Sequence, residues 1–177
     1  QIWVGTETGG ITKLAPRLLQ LEFYQNDPRN PGSIARNAVN AMFPAPDGTL
    51  WVGVVEGGLN ALSPHSKNFV HYTTANSGLP HNSVSILAAD GHGNLWIGTW
   101  GGGVAVMLLG EPGKMQRLLV GDRYQELLSF VGAFAYDAIN DGMWIGTNDG
   151  LFFYDIKKRQ LEEPFPHCLD IRGCIGS

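Results

Sequence analysis

Leu95-Trp96-Ile97-Gly98 is one of four copies of a short pattern in which an apolar residue is followed by tryptophan, isoleucine or valine, and glycine. The tryptophans of successive copies are 48, 45 and 48 residues apart. A regular period of this length indicates one supersecondary unit repeated along the chain, with each copy burying an apolar face against the next. The other copies are Ile2-Trp3-Val4-Gly5, Leu50-Trp51-Val52-Gly53 and Met143-Trp144-Ile145-Gly146.

The sequence around Trp96 predicts a unit of four antiparallel strands. Residues 90–94 and 100–103 are rich in glycine and predict tight turns. Residues 38–73 repeat the same order of strands and turns. Four such strands in about 45 residues are typical of one β-propeller blade. The predicted strands around Trp96 are 83–89, 95–99, 104–108 and 115–120.

We therefore predict an all-β fold, a β-propeller segment of about four blades with four antiparallel strands each. The chain begins at the second strand of its first blade, and residues 171–177 resemble the first strand of a further blade. The positions in the repeat at which the chain begins and ends are compatible with three arrangements. These are a closed four-bladed ring, an eight-bladed ring made with a second copy, and an arc of a larger propeller. Residues 123–130 alone are compatible with a helix, and we predict a loop with one helical turn there. The predicted blades span approximately 1–32, 33–77, 78–122 and 123–168.

Composition and charge narrow the class of partner. A charged fraction of 16% with 24 glycines suits a turn-rich all-β protein. A net charge of −4, with no basic cluster larger than Lys157-Lys158, argues against a nucleic-acid partner. No apolar run approaches the roughly 18 residues of a membrane span, and the first residues do not resemble a signal peptide. We expect no membrane contact by this segment, which we interpret as part of a longer protein.

The two cysteines, Cys168 and Cys174, are weak indicators of function. His167 is the only histidine beside them, and the spacing matches no typical four-ligand zinc motif. Two thiols are the simplest interpretation, and a local disulfide in an oxidising compartment stays open. The sequence predicts neither a metal site nor a cofactor.

One pattern of residues occurs at 37–39 with 47–53, and again at 82–84 with 94–99. This pattern resembles the two-component regulator propeller repeat. In that family an Asn-x-Val strand is followed by an Asp-x-x-Gly turn, a Leu-Trp-Ile-Gly-Thr strand and a Gly-Gly-Leu turn. Residues 26–33 also resemble its inter-blade segment. The chain departs from the pattern at Val54 and at Ser129-Phe130-Val131, which bears on loop geometry rather than on the fold. The matching residues include Asn37-Ala38-Val39, Asp47-Gly48-Thr49-Leu50-Trp51-Val52-Gly53, Asn82-Ser83-Val84 and Asn94-Leu95-Trp96-Ile97-Gly98-Thr99.

The resemblance implies a role in signalling. Such repeats typically form the extracytoplasmic sensor region of bacterial membrane receptors whose output domains are histidine kinases, often hybrid ones, or diguanylate cyclases. Many characterised sensors of this kind respond to oligosaccharides. The resemblance therefore implies a periplasmic, non-enzymatic segment that binds a carbohydrate or another small ligand. It would relay binding by rearrangement against neighbouring domains of the receptor.

Propeller ligands usually bind the face built from the turns between second and third strands and from the inter-blade connections. Carbohydrate recognition combines an exposed aromatic plane with hydrogen-bonding side chains. Trp100 is the first candidate because it is the one tryptophan outside the repeated pattern. Asn37 and Asn82 occupy equivalent positions, which favours backbone hydrogen bonding over ligand binding. The candidate ligand-binding residues are Trp100, Glu56, Asp149, His81, Arg36 and Tyr124, and Glu7 lies in the same kind of turn as Glu56.

Two other functions stay open at this level. The segment could be a structural module whose blade edges form a homodimer without a ligand of its own. It could also be a propeller lyase or glycosidase, which would need two carboxylates converging at roughly 5–10 Å. The enzyme is less favoured because the acids Glu7, Glu56 and Asp149 come from turns of separate blades, and because no nucleophile accompanies His81. We therefore predict that the segment is not an enzyme.

Overall fold

The computed structural model describes residues 2–15 and 20–163, and its fold is all-β. Four antiparallel sheets follow one another along the chain, the first with three strands and the others with four. Strands that are consecutive in sequence are neighbours within each sheet. We call these sheets blades 1 to 4. The prediction of a β-propeller segment is confirmed.

The strands of each blade are as follows. Blade 1 contains β1 (Ile2–Thr6), β2 (Gly10–Ala15) and β3 (Gln20–Tyr24). Blade 2 contains β4 (Val39–Pro44), β5 (Leu50–Val54), β6 (Leu59–Leu62) and β7 (Phe69–Tyr72). Blade 3 contains β8 (Val84–Ala89), β9 (Asn94–Thr99), β10 (Val104–Leu108) and β11 (Met115–Arg117). Blade 4 contains β12 (Val131–Asp137), β13 (Gly142–Thr147), β14 (Gly150–Asp155) and β15 (Gln160–Glu162).

Two details refine the predicted elements. A short helix, α1 (Asp122–Leu127), lies between blades 3 and 4, where one helical turn was predicted. The fourth strand of blade 3 ends at Arg117 instead of 120, one residue before the last bond to β10, which the Leu118 N–H donates to the Val104 carbonyl. The predicted terminal strand 171–177 and the two cysteines lie outside the described residues.

The repeated tetrapeptide forms the second strand of its blade and is buried most completely in the middle of the arc. In β9, Leu95, Trp96 and Ile97 are all buried, although their side chains point to both faces of the sheet. Both faces of blade 3 are covered by neighbouring blades, which explains this burial. Trp3 and Trp144 are only half-buried, because blades 1 and 4 are each covered on one face within the described residues.

The glycine of the tetrapeptide is the point where the next blade comes closest. A Cβ added to Gly5 or to Gly53 would lie 2.5 Å from the Cγ1 of Val39 or Val84, respectively. One added to Gly98 would lie 2.8 Å from Val131 Cγ1. These separations are well below van der Waals contact, so the missing side chain is what admits the valine of the following blade.

The first strands of blades 2, 3 and 4 converge at the inner edge of the arc. Strand β4 contacts β8, and β8 contacts β12. Asn40 Nδ2 donates to the Val84 carbonyl at 3.2 Å, and Ser85 Oγ donates to the Val131 carbonyl at 2.6 Å. These bonds satisfy polar side chains between blades, where an unpaired group would be costly.

Hydrogen bonds also join each blade to the connection that leads into the next. The Gly58 N–H donates to the Asn82 carbonyl at 2.7 Å, and the Gly101 N–H donates to the Ser129 carbonyl at 2.7 Å. The donors belong to turns between second and third strands, and the acceptors belong to inter-blade connections. We call the surface made by these turns and connections the turn face.

On the opposite face, the aspartate of the repeat pattern anchors the tryptophan. Asp90 Oδ2 accepts from Trp96 Nε1 at 2.9 Å and from Asn94 Nδ2 at 2.9 Å. Burial alone would raise the pKa of Asp90, but the hydrogen bonds from Trp96 and Asn94 outweigh it, and the pKa is lowered. The buried indole N–H is therefore satisfied by a carboxylate that stays ionised.

We expect Gly53→Ala to lower the free energy of unfolding by about 1–3 kcal/mol, because its Cβ would overlap Val84. Urea denaturation of the 177-residue chain measures this. Gly132→Ala is the matched control, because nothing lies within 4 Å of a Cβ at this strand position. Adding Val84→Ala to Gly53→Ala should recover part of the loss. Equal stability of Gly53→Ala and Gly132→Ala would contradict the proposed inter-blade contact.

Candidate functional site

Glu56 occupies the middle of the turn between β5 and β6 and is held in an uncommon conformation. Its φ of 56° lies in the left-handed region, which is rarely occupied by residues other than glycine. Glu56 Oε1 accepts a hydrogen bond from Ser83 Oγ at 2.7 Å. The Glu56 backbone N–H in turn donates to Ser83 Oγ at 3.2 Å. These two bonds to Ser83 offset the strain, which is of the order of 1–3 kcal/mol, while the residue itself stays exposed.

His81 lies beside this pair in the connection between blades 2 and 3. Its Nδ1 accepts from the Ser83 N–H at 3.0 Å. A Cβ added to Gly101 would lie 3.3 Å from His81 Nε2, so the imidazole lies against the next turn of the turn face. Because Nδ1 is already engaged as an acceptor, Nε2 is the ring nitrogen that can donate to a ligand.

Trp100 and Phe130 extend this surface with two exposed aromatic side chains. They lie directly opposite each other in an isolated antiparallel bridge between blades 3 and 4. Trp100 is 42% exposed and Phe130 is 47% exposed. The Trp100 N–H donates to the Ser83 carbonyl at 2.9 Å, which fixes the backbone beneath the indole. Phe130 was not predicted as a site residue, although its place in a departure from the repeat pattern was an available signal.

Arg36 completes a continuous band of side chains across the turn face. A Cβ added to Gly57, next to Glu56, would lie 3.0 Å from Arg36 Cγ, so the arginine stem lies over this turn. Within residues 2–15 and 20–163, its guanidinium takes part in no ion pair. We call the band the turn-face strip, and it consists of Arg36, Glu56, His81, Trp100 and Phe130.

The remaining two predicted site residues, Tyr124 and Asp149, have other surroundings. Tyr124 in α1 packs edge-on against Phe152, with ring centroids 6.5 Å apart, and belongs to the core between blades 3 and 4. Asp149 is exposed in the turn of blade 4, where its N–H donates to Thr147 Oγ1 at 3.1 Å. The turn of Asp149 has two residues between the paired strand ends, whereas the turns of Glu7 and Glu56 have three. Asp149 therefore does not occupy the same turn position as the two glutamates.

The two repeated asparagines have the structural role that the sequence predicted. Asn37 Oδ1 accepts from the Asn26 N–H at 2.7 Å, and Asn82 Oδ1 accepts from the Thr74 N–H at 3.0 Å. Each amide thus holds the connection in front of a first strand. Backbone N–H groups therefore engage both asparagine oxygens.

The strip has the groups for binding but not the arrangement for nucleophilic catalysis. Ser83 Oγ donates to Glu56, and the hydrogen bond between His81 and Ser83 involves the Ser83 backbone N–H instead of the hydroxyl, so no serine–histidine pair forms here. In the described part of the chain, no group of three His, Cys, Asp or Glu side chains could hold a metal ion. No helix among the same residues is long and apolar enough to cross a bilayer.

A cluster of titratable groups on the opposite face joins blades 3 and 4. His92 Nε2 lies 2.6 Å from Asp141 Oδ1, which also accepts from Tyr136 OH at 3.0 Å. Lys157 Nζ lies 3.5 Å from Asp141 Oδ2. The hydrogen bond to Asp141 raises the pKa of His92, and the same bond lowers the pKa of Asp141. The pair is a clasp between two turns rather than a ligand pocket.

The comparisons with known proteins agree with this architecture. The family model of the two component regulator propeller matches residues 78–101, which confirms the resemblance of the repeat around Trp96. No curated protein matches the sequence.

Solved structures show the same fold at low identity. The extracellular domain of a B. thetaiotaomicron protein assigned to the hybrid two-component systems has 22% identity and a TM-score of 0.75 over 90% of this chain. A second extracellular domain from that organism, assigned as a one-component system, has 18% identity and a TM-score of 0.71 over 92%. PorZ, a surface component of the type-IX secretion system of Porphyromonas gingivalis, has 18% identity and a TM-score of 0.60 over 86%. The chain spans only 21%, 23% and 23% of these structures.

We expect the pKa of His92 to lie above 6.5 and to fall toward that value in Asp141→Asn. NMR titration of the His92 ring measures both. Because the folded-state pKa is raised, the clasp stabilises the protein fully below the unfolded-state pKa, and this contribution is lost as the pH rises through the folded-state pKa. An identical His92 titration in the two proteins would contradict the clasp.

Proposed function

We propose that this chain is the ligand-sensing propeller segment of a bacterial transmembrane receptor of the two-component type. The match of residues 78–101 to the two component regulator propeller and the likeness to extracellular domains of such systems support the proposal. The segment would lie in the periplasm, would catalyse no reaction itself, and would act on the neighbouring blades and domains of the receptor. Its ligand would be a carbohydrate or another small molecule.

The observation that carries the ligand-binding proposal is the exposed Trp100–Phe130 pair beside polar groups that are already held in place. An aromatic surface can pack against the apolar face of a sugar ring. Glu56 offers a hydrogen-bond acceptor, and His81 and Arg36 offer donors. Since Glu56 and His81 are each fixed by Ser83, a ligand would meet a largely pre-formed site.

The position of the strip suggests how binding could be relayed. Its residues come from the turns of blades 2 and 3 and from the connections that lead into blades 2, 3 and 4. The bonds Gly58–Asn82 and Gly101–Ser129 join the same turns to the same connections. A ligand that contacts both sides of these joints would favour one relative arrangement of the blades over another. Such a difference in affinity is what a sensor requires.

A second candidate function is a structural module that associates through its end blades. Ile2, Val4 and Phe23 are exposed on the outer face of blade 1, and Leu151 is exposed on that of blade 4. Apolar faces of this kind favour association with further blades or with a second copy in a homodimer. This candidate ranks second because it gives no role to the ordered polar groups of the turn face.

We expect Trp100→Ala to weaken binding of the tightest ligand in a panel of soluble oligosaccharides at least about tenfold, or about 1.4 kcal/mol. Isothermal titration calorimetry on the 177-residue chain measures this. Leu108→Ala is the matched control, because Leu108 is 45% exposed at the opposite end of the same blade. Unchanged affinity in Trp100→Ala would exclude the strip as the site, and failure of the whole panel to bind would contradict a carbohydrate ligand.

A further inference from the structure

A groove lies at the outer rim of the arc, between the outermost strands β3 of blade 1 and β7 of blade 2. Its volume is 480 Å³, which lies within the range of small-molecule sites. No residue of the turn-face strip lines it. Its lining includes Glu22, Tyr24, Gln25, Asn30, Lys67 and Phe69.

One wall of the groove is the connection between blades 1 and 2, and hydrogen bonds hold it in shape. The Asp27 N–H donates to Ser33 Oγ at 3.0 Å, and Ser33 Oγ donates back to the Asp27 carbonyl at 3.1 Å. Asn30 Oδ1 accepts from the Gly32 N–H at 3.0 Å. The wall is therefore pre-formed, and a ligand would not have to order it on binding.

The floor of the groove is apolar and aromatic. The rings of Tyr24 and Phe69 meet edge to face with centroids 5.8 Å apart, and Ile34 beneath them is fully buried. Tyr24 OH donates to Glu22 Oε2 at 2.7 Å. Burial, together with this bond, raises the pKa of Tyr24 to about 12, so the phenol keeps its proton and the ring keeps its position.

The charges around the floor are not equally available. Glu22 is already paired with Lys13, at 3.1 Å between Nζ and Oε2, and also accepts from Tyr24. Lys67 is exposed and forms no ion pair within the described ranges 2–15 and 20–163. The groove thus offers an ammonium group for an anion. The side-chain amides of Gln25 and Asn30 at its edge offer hydrogen bonds for hydroxyl groups.

We propose that this rim groove is a separate binding site for a sugar unit that carries an anionic group. The anion pairs with Lys67, the hydroxyls bond to Asn30 and Gln25, and the apolar face of the ring lies over the partly exposed ring of Tyr24, which the buried Phe69 supports from below. A carboxylate and a sulfate ester share the chemistry that Lys67 recognises. The proposal does not depend on the turn-face strip, so either site can fail without the other.

The test is a ¹H–¹⁵N NMR titration of the 177-residue chain with three disaccharides: cellobiouronic acid, cellobiose 6-sulfate and neutral cellobiose. We expect the acidic sugars to shift the amide signals of 22–25, 30–34 and 67–69, and to bind at least about tenfold more tightly than cellobiose. Comparing the affinities for cellobiouronic acid and cellobiose 6-sulfate shows whether the groove prefers a carboxylate or a sulfate ester. Lys67→Met should remove most of this preference.

Lys114→Met is the matched control, because Lys114 is an exposed lysine on another blade, 2.8 Å from Glu111. The affinity of Lys114→Met for the acidic sugars, and the amide shifts that these sugars induce in it, should equal those of the parent chain. Equal affinity for cellobiose and its acidic analogues, or acid binding that survives Lys67→Met, would overturn the proposal. Shifts confined to 100–103 and 130 would also overturn it while supporting the turn-face strip. The amide spectrum of each free variant shows whether it is folded.

Discussion

The rest of the structure depends on the contact between the glycine of one tetrapeptide and the valine of the next blade. It occurs at Gly5–Val39, Gly53–Val84 and Gly98–Val131. Since glycine has no side chain, two sheets can approach at this point without a gap, and the tryptophans next to it in β5 and β9 become buried. The same approach brings each turn within hydrogen-bonding distance of the following connection, and so creates the turn face.

The period of the tryptophans was sufficient to predict blades, because a repeat at this spacing has few structural solutions. The strands around Trp96 agree with the predicted bounds within one residue at every end except the last, since alternation and glycine-rich turns are local signals. The backbone hydrogen bonding of Asn37 and Asn82 could also be predicted, because residues at equivalent positions of successive repeats tend to have the same structural role. The helical turn in α1 was also predicted from local sequence, because residues 123–130 are compatible with a helix.

The candidate site was harder to predict, because it depends on contacts between blades. The Ser83–Glu56 bond joins residues from different blades, and no local pattern reports it. Phe130 became a site residue only when the structure placed it opposite Trp100. Tyr124 was a reasonable aromatic candidate, but the direction of a ring in a short helix follows from its packing, here against Phe152. The rim groove had no sequence signal, because its two sides are far apart along the chain.

The central claim is that every neighbouring blade that covers a blade adds to its stability. Native-state hydrogen exchange of the 177-residue chain tests this most directly, because it measures the free energy of opening strand by strand. The account predicts that amides in β5 and β9, whose blades are covered on both faces, exchange only through global unfolding. Amides in β1 and β13, which carry the tetrapeptides of the two end blades, should exchange at a lower free energy. Equal protection of the second strands in all four blades would contradict the account.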